Sequence, residues 1–212
     1  MGIAERKARA KQQRSSAIVD AAERIIASKG IVTTTMDDIA QAAELGKATL
    51  YEYYKNKEEI LLAIQKRASD KLSERFAHAY EAPMSGYDKL QAIGQSYHQF
   101  CVEYPHYYQF IAFFEANTAQ TAPDKTLENV HQAIEWVLKA IHLGRADGSI
   151  RRDIVPEVLA HLLWAISNGI LQMMHLRGDL LDLQYQISAT DLQTSFFKIL
   201  KNGVHLSTST TL

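Results

Sequence analysis

The 212-residue chain contains a single cysteine, Cys101, with four prolines and ten glycines. A lone thiol forms no intrachain disulfide. That excludes a small, bridge-stabilised secreted scaffold and fits a reducing compartment. No apolar run reaches the roughly 18 residues of a membrane span. The N-terminal stretch MGIAERKARAKQQRSS is basic, with no apolar segment behind it, so it does not read as a secretion signal. Myristoylation would want Ser or Thr at the sixth position, which holds Arg6. The expected location is cytoplasmic, without membrane partners. Runs of alternating β pattern are missing too, and no internal repeat is found. The near-zero net charge of −1 hides an asymmetry: residues 1–57 sum to +3 and the rest to −4. A basic front end suits a polyanion.

What is present is a run of helical periodicities. Composition is ordinary for a globular chain, 47% hydrophobic and 22% charged. At this length roughly 70% of the unfolded surface is buried, so neither a metal nor a disulfide is needed for stability. Ala17, Ile18, Ala21, Ala22, Ile25 and Ile26 form one stripe, closed by Gly30. Two short segments follow, Met36 to Ala43 and Lys47 to Tyr54. A long helix starts near Asn56. Further helices are predicted after Gly86, between His106 and Glu115, after Pro123, after Pro156 with a stop at Gly178, and from Ile187 to Gly203. The spacing predicts an all-α chain of about nine helices: an N-terminal three-helix head on a C-terminal bundle. The expected organisation is a flexible basic arm at 1–14, a head at 15–60, a bundle at 61–205 and a frayed tail at 206–212.

The stretch TTTMDDIAQAAELGKATLYEYYKNKEEIL, Thr33 to Leu61, carries the most information. Thr35 can cap a helix whose third residue is Asp38. Ile39, Ala40 and Ala43 make its inner face, small enough for a second helix to approach. Glu44-Leu45-Gly46 is a tight turn. Beyond it Leu50 and Tyr54 face inward, while Lys47, Ala48, Thr49, Glu52 and Tyr53 face outward. This layout is that of a helix-turn-helix, whose second helix reads base edges in the major groove. Asn56 then caps a helix with Glu59 three residues on, and the amides there, beside Lys57, suit a phosphate.

On these residues the stretch resembles the DNA-binding region of the TetR/AcrR family of bacterial transcriptional regulators. Thr35, Ile39, Ala40, Ala43, Thr49, Leu50, Tyr51, Tyr53, Lys57 and Glu58 stand in register with the family pattern. Glu44, Gly46 and Ala48 replace its usual Gly, Ser and Gly. A non-glycine at 44 costs roughly 1 kcal/mol if the turn needs a left-handed residue. The stretch from Gly148, GSIRRDIVPEVLAHLLWAISNGIL, resembles the opening of the family's dimerisation region more weakly.

The resemblance implies DNA contacts from Thr35, Lys47, Ala48, Thr49, Tyr51, Tyr53 and Lys57, with Arg6, Lys7, Arg9, Lys11 and Arg14 as flanking contacts. It implies a homodimer on a near-palindromic double-stranded operator, released by a small effector of hydrophobic or aromatic character. His98, Tyr107, Phe110, Phe114, Trp136, Trp164, Gln172 and Met173 are the candidate effector-pocket residues. Leu159, Leu163, Ile166, Ile170, Phe196, Phe197 and Leu200 are the candidates for the dimer interface. No cofactor, metal or catalytic residue is assigned. The Tyr51-x-x-x-Lys55 spacing matches a dehydrogenase pair, but no glycine-rich strand-to-helix turn precedes it. His98, Cys101 and His106 have spacing for a metal, yet read more simply as packed interior. Two rivals stand: a DNA-bound structural or cell-division factor of the same fold without an effector, and a helical enzyme using His98, Cys101 or Tyr51.

Overall fold

The computed structural model describes residues 2–117 and 123–205. The described residues form nine α-helices: α1 (Ile3–Lys29), α2 (Met36–Ala42), α3 (Lys47–Tyr53), α4 (Lys57–Glu81), α5 (Gly86–Glu103), α6 (Pro105–Asn117), α7 (Pro123–Asp147), α8 (Pro156–Tyr185) and α9 (Ala189–Val204). An isolated bridge between Ile150 and His205 is the β-type pairing found among them. No helix among the described residues is long and apolar enough to cross a membrane.

The chain divides into two compact units. The first takes the residues up to Ala68 together with α6, and the second takes Ser69–Tyr104 and the chain from Leu127 onward. The first unit thus runs eight residues beyond the expected boundary at residue 60, to a point within α4, and takes in α6. In the first unit Ile18, Ala21, Ala22 and Ile26 of α1 are buried with Ile39 and Ala40 of α2, Leu50 of α3 and Ile60 and Ile64 of α4. The alanines let α1 and α2 approach closely. Arg67 holds α4 to α1, reaching Asp20 at 2.6 Å, Glu23 at 3.2 Å and the Ser16 hydroxyl at 3.0 Å.

Two elements differ from the sequence reading. Residues 3–14, expected as a flexible arm, are the exposed first turns of α1. Ala, Arg, Lys and Gln are strong helix formers, and extending a helix already nucleated at its packed end needs no new nucleus. Helix α8 continues past Gly178 to Tyr185, where Gln186 takes a left-handed conformation at φ 55°. A lone glycine costs a helix only about 1 kcal/mol, which a continuing hydrogen-bond ladder tolerates. The tail at 206–212 lies outside the described residues.

In the second unit the start of α5 meets the end of α7. The Gly86 N–H donates to Asp147 at 2.7 Å and the Tyr87 N–H to the Ser149 hydroxyl at 3.0 Å. Hydrogen bonds from the Ser149 hydroxyl, the Gly86 N–H and the Ser149 N–H hold the Asp147 carboxyl below its ordinary range.

Candidate functional site

The head is built from local rules. Thr35 caps α2: its hydroxyl accepts from the Asp38 N–H at 3.2 Å, while its own N–H donates to the Asp38 carboxylate at 2.8 Å. The Lys29 ammonium and Thr35 together hold the Asp38 carboxyl down at about 2. The hydroxyl proton of Thr35 also goes to Asp38, at 2.7 Å, so it is committed to the cap. The turn to α3 passes through Glu44 at φ 55°, a conformation that disfavours side chains. Gly46, extended at φ −66° and ψ 145°, begins α3. Replacing Glu44 by glycine should stabilise the head by up to about 1 kcal/mol. Native-state exchange of the Leu50 amide should then slow by up to about fivefold.

The front of α3 is open. Lys47 and Ala48 are exposed, Thr49 and Tyr53 are half-buried, and Tyr51 is 50% exposed despite its size. The Lys47 ammonium pairs with Asp37 of α2 at 2.6 Å, which strengthens its hold on the proton. Tyr54 turns inward, its hydroxyl 2.8 Å from that of Ser15. These placements match the expected outward face, with one exception. Lys57 reaches back to the α1–α2 turn, donating to the carbonyl oxygens of Ile31 at 3.1 Å, Val32 at 3.3 Å and Thr34 at 2.9 Å. It is a clamp on the turn, not an outward cation. The start of α4 is likewise partly satisfied from within: Asn56 accepts from the Glu59 N–H at 2.9 Å, and the Glu59 carboxylate accepts from the Lys55 N–H at 2.8 Å.

The second unit contains an apolar cavity with about 650 Å³ of space not filled by atoms, part of it open to solvent. Helix α5 supplies Leu90, Gln91, Gly94 and Tyr97, helix α7 Ile134 and Val137, helix α8 Ala160, Leu163, Trp164 and Ser167, and helix α9 Phe197 and Leu200. Tyr97 stacks on Trp164 with ring centroids 4.9 Å apart, and its hydroxyl donates to Asn168 at 2.5 Å. No lysine, arginine or carboxylate is among the described lining residues.

Of the expected wall residues, Trp164 lines this cavity. Phe110 and Tyr107 are buried in the first unit. The Tyr107 hydroxyl donates to Glu23 at 3.2 Å, and burial pushes its ionisation up to about 12. Trp136 donates to the Ser73 hydroxyl at 3.1 Å and packs on Tyr80, off the cavity. Gln172 and Met173 are exposed on α8, because a helix reverses faces within two residues. His98 is buried beside the cavity, and the side chain of Phe114 lies outside the described residues. Sequence reasoning missed Tyr97 and Gly94. A glycine inside an apolar helical pattern was the available signal, since it marks a close approach.

The expected dimer residues also divide. Leu159, Leu163 and Phe196 are buried within the chain, and Leu163, Phe197 and Leu200 line the cavity, so these serve their own subunit. Ile166 is 44% exposed and Ile170 half-buried. The outward apolar row of α8 is Val158, Leu162, Ile166 and Met173; it keeps Ile166 of the expected set and replaces Leu159 and Leu163 by the residues before them. Cys101 is buried, and desolvation raises its thiol to about 12, which keeps it protonated. No cluster of three metal-ligating side chains occurs among the described residues.

Residues 18–64, the segment holding these caps and the open front of α3, match the family model for bacterial regulatory proteins of the tetR family. A TetR-type DNA-binding segment thus occupies residues 18–64. In sequence, the chain matches 39% of the length of the HTH-type transcriptional regulator BetI of Rhizobium meliloti, at 31% identity over 80 residues, 38% of this chain. A longer match joins it to the HTH-type transcriptional repressor KstR2 of Mycolicibacterium smegmatis, 26% identical over 144 residues, 66% of this chain and 69% of that one. The TetR-type fold extends over nearly the whole chain. The crystal structure of the transcriptional regulator FadR from Bacillus subtilis in complex with stearoyl-CoA superposes with a TM-score of 0.71 at 19% identity, covering 90% of this chain and 99% of that one.

Proposed function

We propose that this protein is a TetR-type, sequence-specific, effector-released transcriptional repressor that binds its operator as a homodimer. The observation that carries the reading is the open front of α3. Lys47, Ala48 and Tyr51 stand exposed at the start of the second helix of a capped helix-turn-helix, where the major groove is read. Thr49, Tyr53 and Thr35 flank them, and the basic turns of α1 add charge for phosphates. One head reads only a half-site, so a dimer on a near-palindrome is required. The outward apolar row on α8, with the 70% exposed Ile199 of α9, supports a two-fold helical interface there.

The cavity favours an effector over the purely structural reading of the same fold. FadR was solved with stearoyl-CoA, which carries a long apolar chain, and KstR2 of Mycobacterium tuberculosis is described as a ketosteroid transcriptional regulator. The apolar walls here suit a hydrophobic molecule in the same way. An effector acts only through its differential affinity for the DNA-bound and released states.

The test is selection of sites from sheared genomic DNA by the purified chain, then titration of the best site at two salt concentrations. A short near-palindrome bound by a dimer, with affinity falling steeply in salt, is expected. Absence of sequence preference at both salts would sink the reading.

A further inference from the structure

Beside the apolar cavity lies a shallower hollow of different chemistry. Four glutamines, Gln91 among them, and Thr194 line it with His98, Phe197 and the exposed Val102. Gln91 and Phe197 line both spaces. His98 is 1% exposed, and neither ring nitrogen has a hydrogen-bond partner in the protein. Its ring is held among aromatic rings, stacked on Phe196 at 5.4 Å, tilted against Phe197 at 5.3 Å and edge-on to Tyr97 at 6.4 Å. Burial lowers its ionisation to about 4, so near neutral pH the imidazole carries one donor and one acceptor. Buried polar groups are nearly always paired, and an orphan at the wall of a hollow marks a place where something else supplies the partner.

The Phe197 ring is a wall shared by the two spaces. Its seat is Gly94: a Cβ there would lie 3.1 Å from the Phe197 ring. No lysine, arginine, aspartate or glutamate is among the described residues lining either space, so an ionised group would be desolvated without a counter-charge. We propose that cavity and hollow are two halves of one ligand site, joined when the Phe197 ring moves aside, and that the ligand is an uncharged apolar molecule with one hydroxyl or carbonyl oxygen hydrogen-bonded by His98. The apolar body lies against Tyr97 and Trp164, and the oxygen end reaches His98 with Gln91 beside it. This rests on the effector reading above and adds the chemical class of the effector.

Three probes of one ring size separate the possibilities: 2-naphthol, 2-methylnaphthalene and 2-naphthoate. Each is titrated calorimetrically into the full chain without DNA. Naphthol should bind about tenfold tighter than methylnaphthalene, the effect of one hydrogen bond to a group otherwise unpaired. His98→Phe, which keeps an aromatic ring in the cluster, should abolish that preference, and naphthoate should bind weakest. Equal binding of the two neutral probes, tightest binding of naphthoate, no binding of either neutral probe, or a preference that survives His98→Phe overturns the proposal. Ring-nitrogen spectra of the unsubstituted chain give a check that needs no variant. Among its eight histidines, naphthol must shift one that stays neutral as the pH falls toward 5, as burial holds His98. A shift elsewhere alone also overturns the site. Release of operator DNA is measured separately: naphthol that binds through His98 without releasing DNA counts against the effector-release mechanism and leaves the site standing.

Discussion

Replacement of Lys47 by alanine is expected to weaken operator binding by about 1–3 kcal/mol and to relax base preference at one position in each half-site. Lys47 stands at the first position of α3, exposed, on the face proposed to enter the groove. Its ammonium rests on Asp37 at 2.6 Å, and both partners are more than half exposed. An exposed pair of this kind contributes little, so a base edge can displace Asp37. Asp37→Asn should therefore tighten binding severalfold at low salt, with the gain fading as salt rises. Tyr51→Ala should weaken all sequences alike and leave the salt slope unchanged, because a phenol contact to the backbone releases no counterion. Lys57→Met supplies the contrast. Its ammonium is spent on three backbone carbonyls, so its loss should lower the stability of the head and leave the salt slope unaltered. A slope reduced by about one unit in Lys57→Met would show that this lysine leaves the turn to meet a phosphate.

Lys57 also shows where sequence reasoning reaches its limit. The helix-turn-helix was legible because its determinants are local. Thr35 with Asp38, the left-handed Glu44, Gly46, and Asn56 with Glu59 each act within four residues, and each stands in the structure as the spacing predicts. The acceptors of Lys57 lie 23 to 26 residues back along the chain, beyond any such rule. Its place beside the first amides of α4 and its register in the family pattern marked it as a phosphate contact. The same limit governs the cavity. Its walls are single faces of α5, α7, α8 and α9, and a helix of 18 to 30 residues presents several apolar faces. An error of one position turns a side chain by about 100°, enough to move Leu163 from a partner's surface to its own interior. The aromatic content of α6 attracted attention as a pocket, but contact with α1 placed Tyr107 in the head.

Replacement of Gly86 by alanine is expected to destabilise the second unit by about 3 kcal/mol or more, the upper end of overpacking costs. A Cβ at Gly86 would lie 2.0 Å from the Gly144 nitrogen, 2.3 Å from its Cα and 2.7 Å from the Ala140 carbonyl oxygen. All three are backbone atoms, so no rotamer change relieves the overlap. The start of α5 must move off α7, and with it go the bonds from the Gly86 and Tyr87 amides to Asp147 and Ser149. Gly144→Ala should cost less. Its Cβ would meet Ile150 at 2.5 Å, but at Cδ1 and Cγ1, side-chain atoms that can shift. Gly178→Ala should be neutral or stabilising by up to about 1 kcal/mol, since no heavy atom stands within 4 Å of the added carbon and α8 is helical there. Trp136 and Trp164 both belong to the second unit, so urea unfolding followed by tryptophan fluorescence reports this unit directly. The thermal midpoint of Gly86→Ala should fall by about 6–12 °C at this chain length. A midpoint within 2 °C of the parent, about half a kcal/mol, would mean that the two glycines do not hold α5 and α7 in backbone contact. The cavity those helices wall would then be free to change width without cost, and the rigidity that lets an effector shift the equilibrium between two states would have to be sought elsewhere in the bundle.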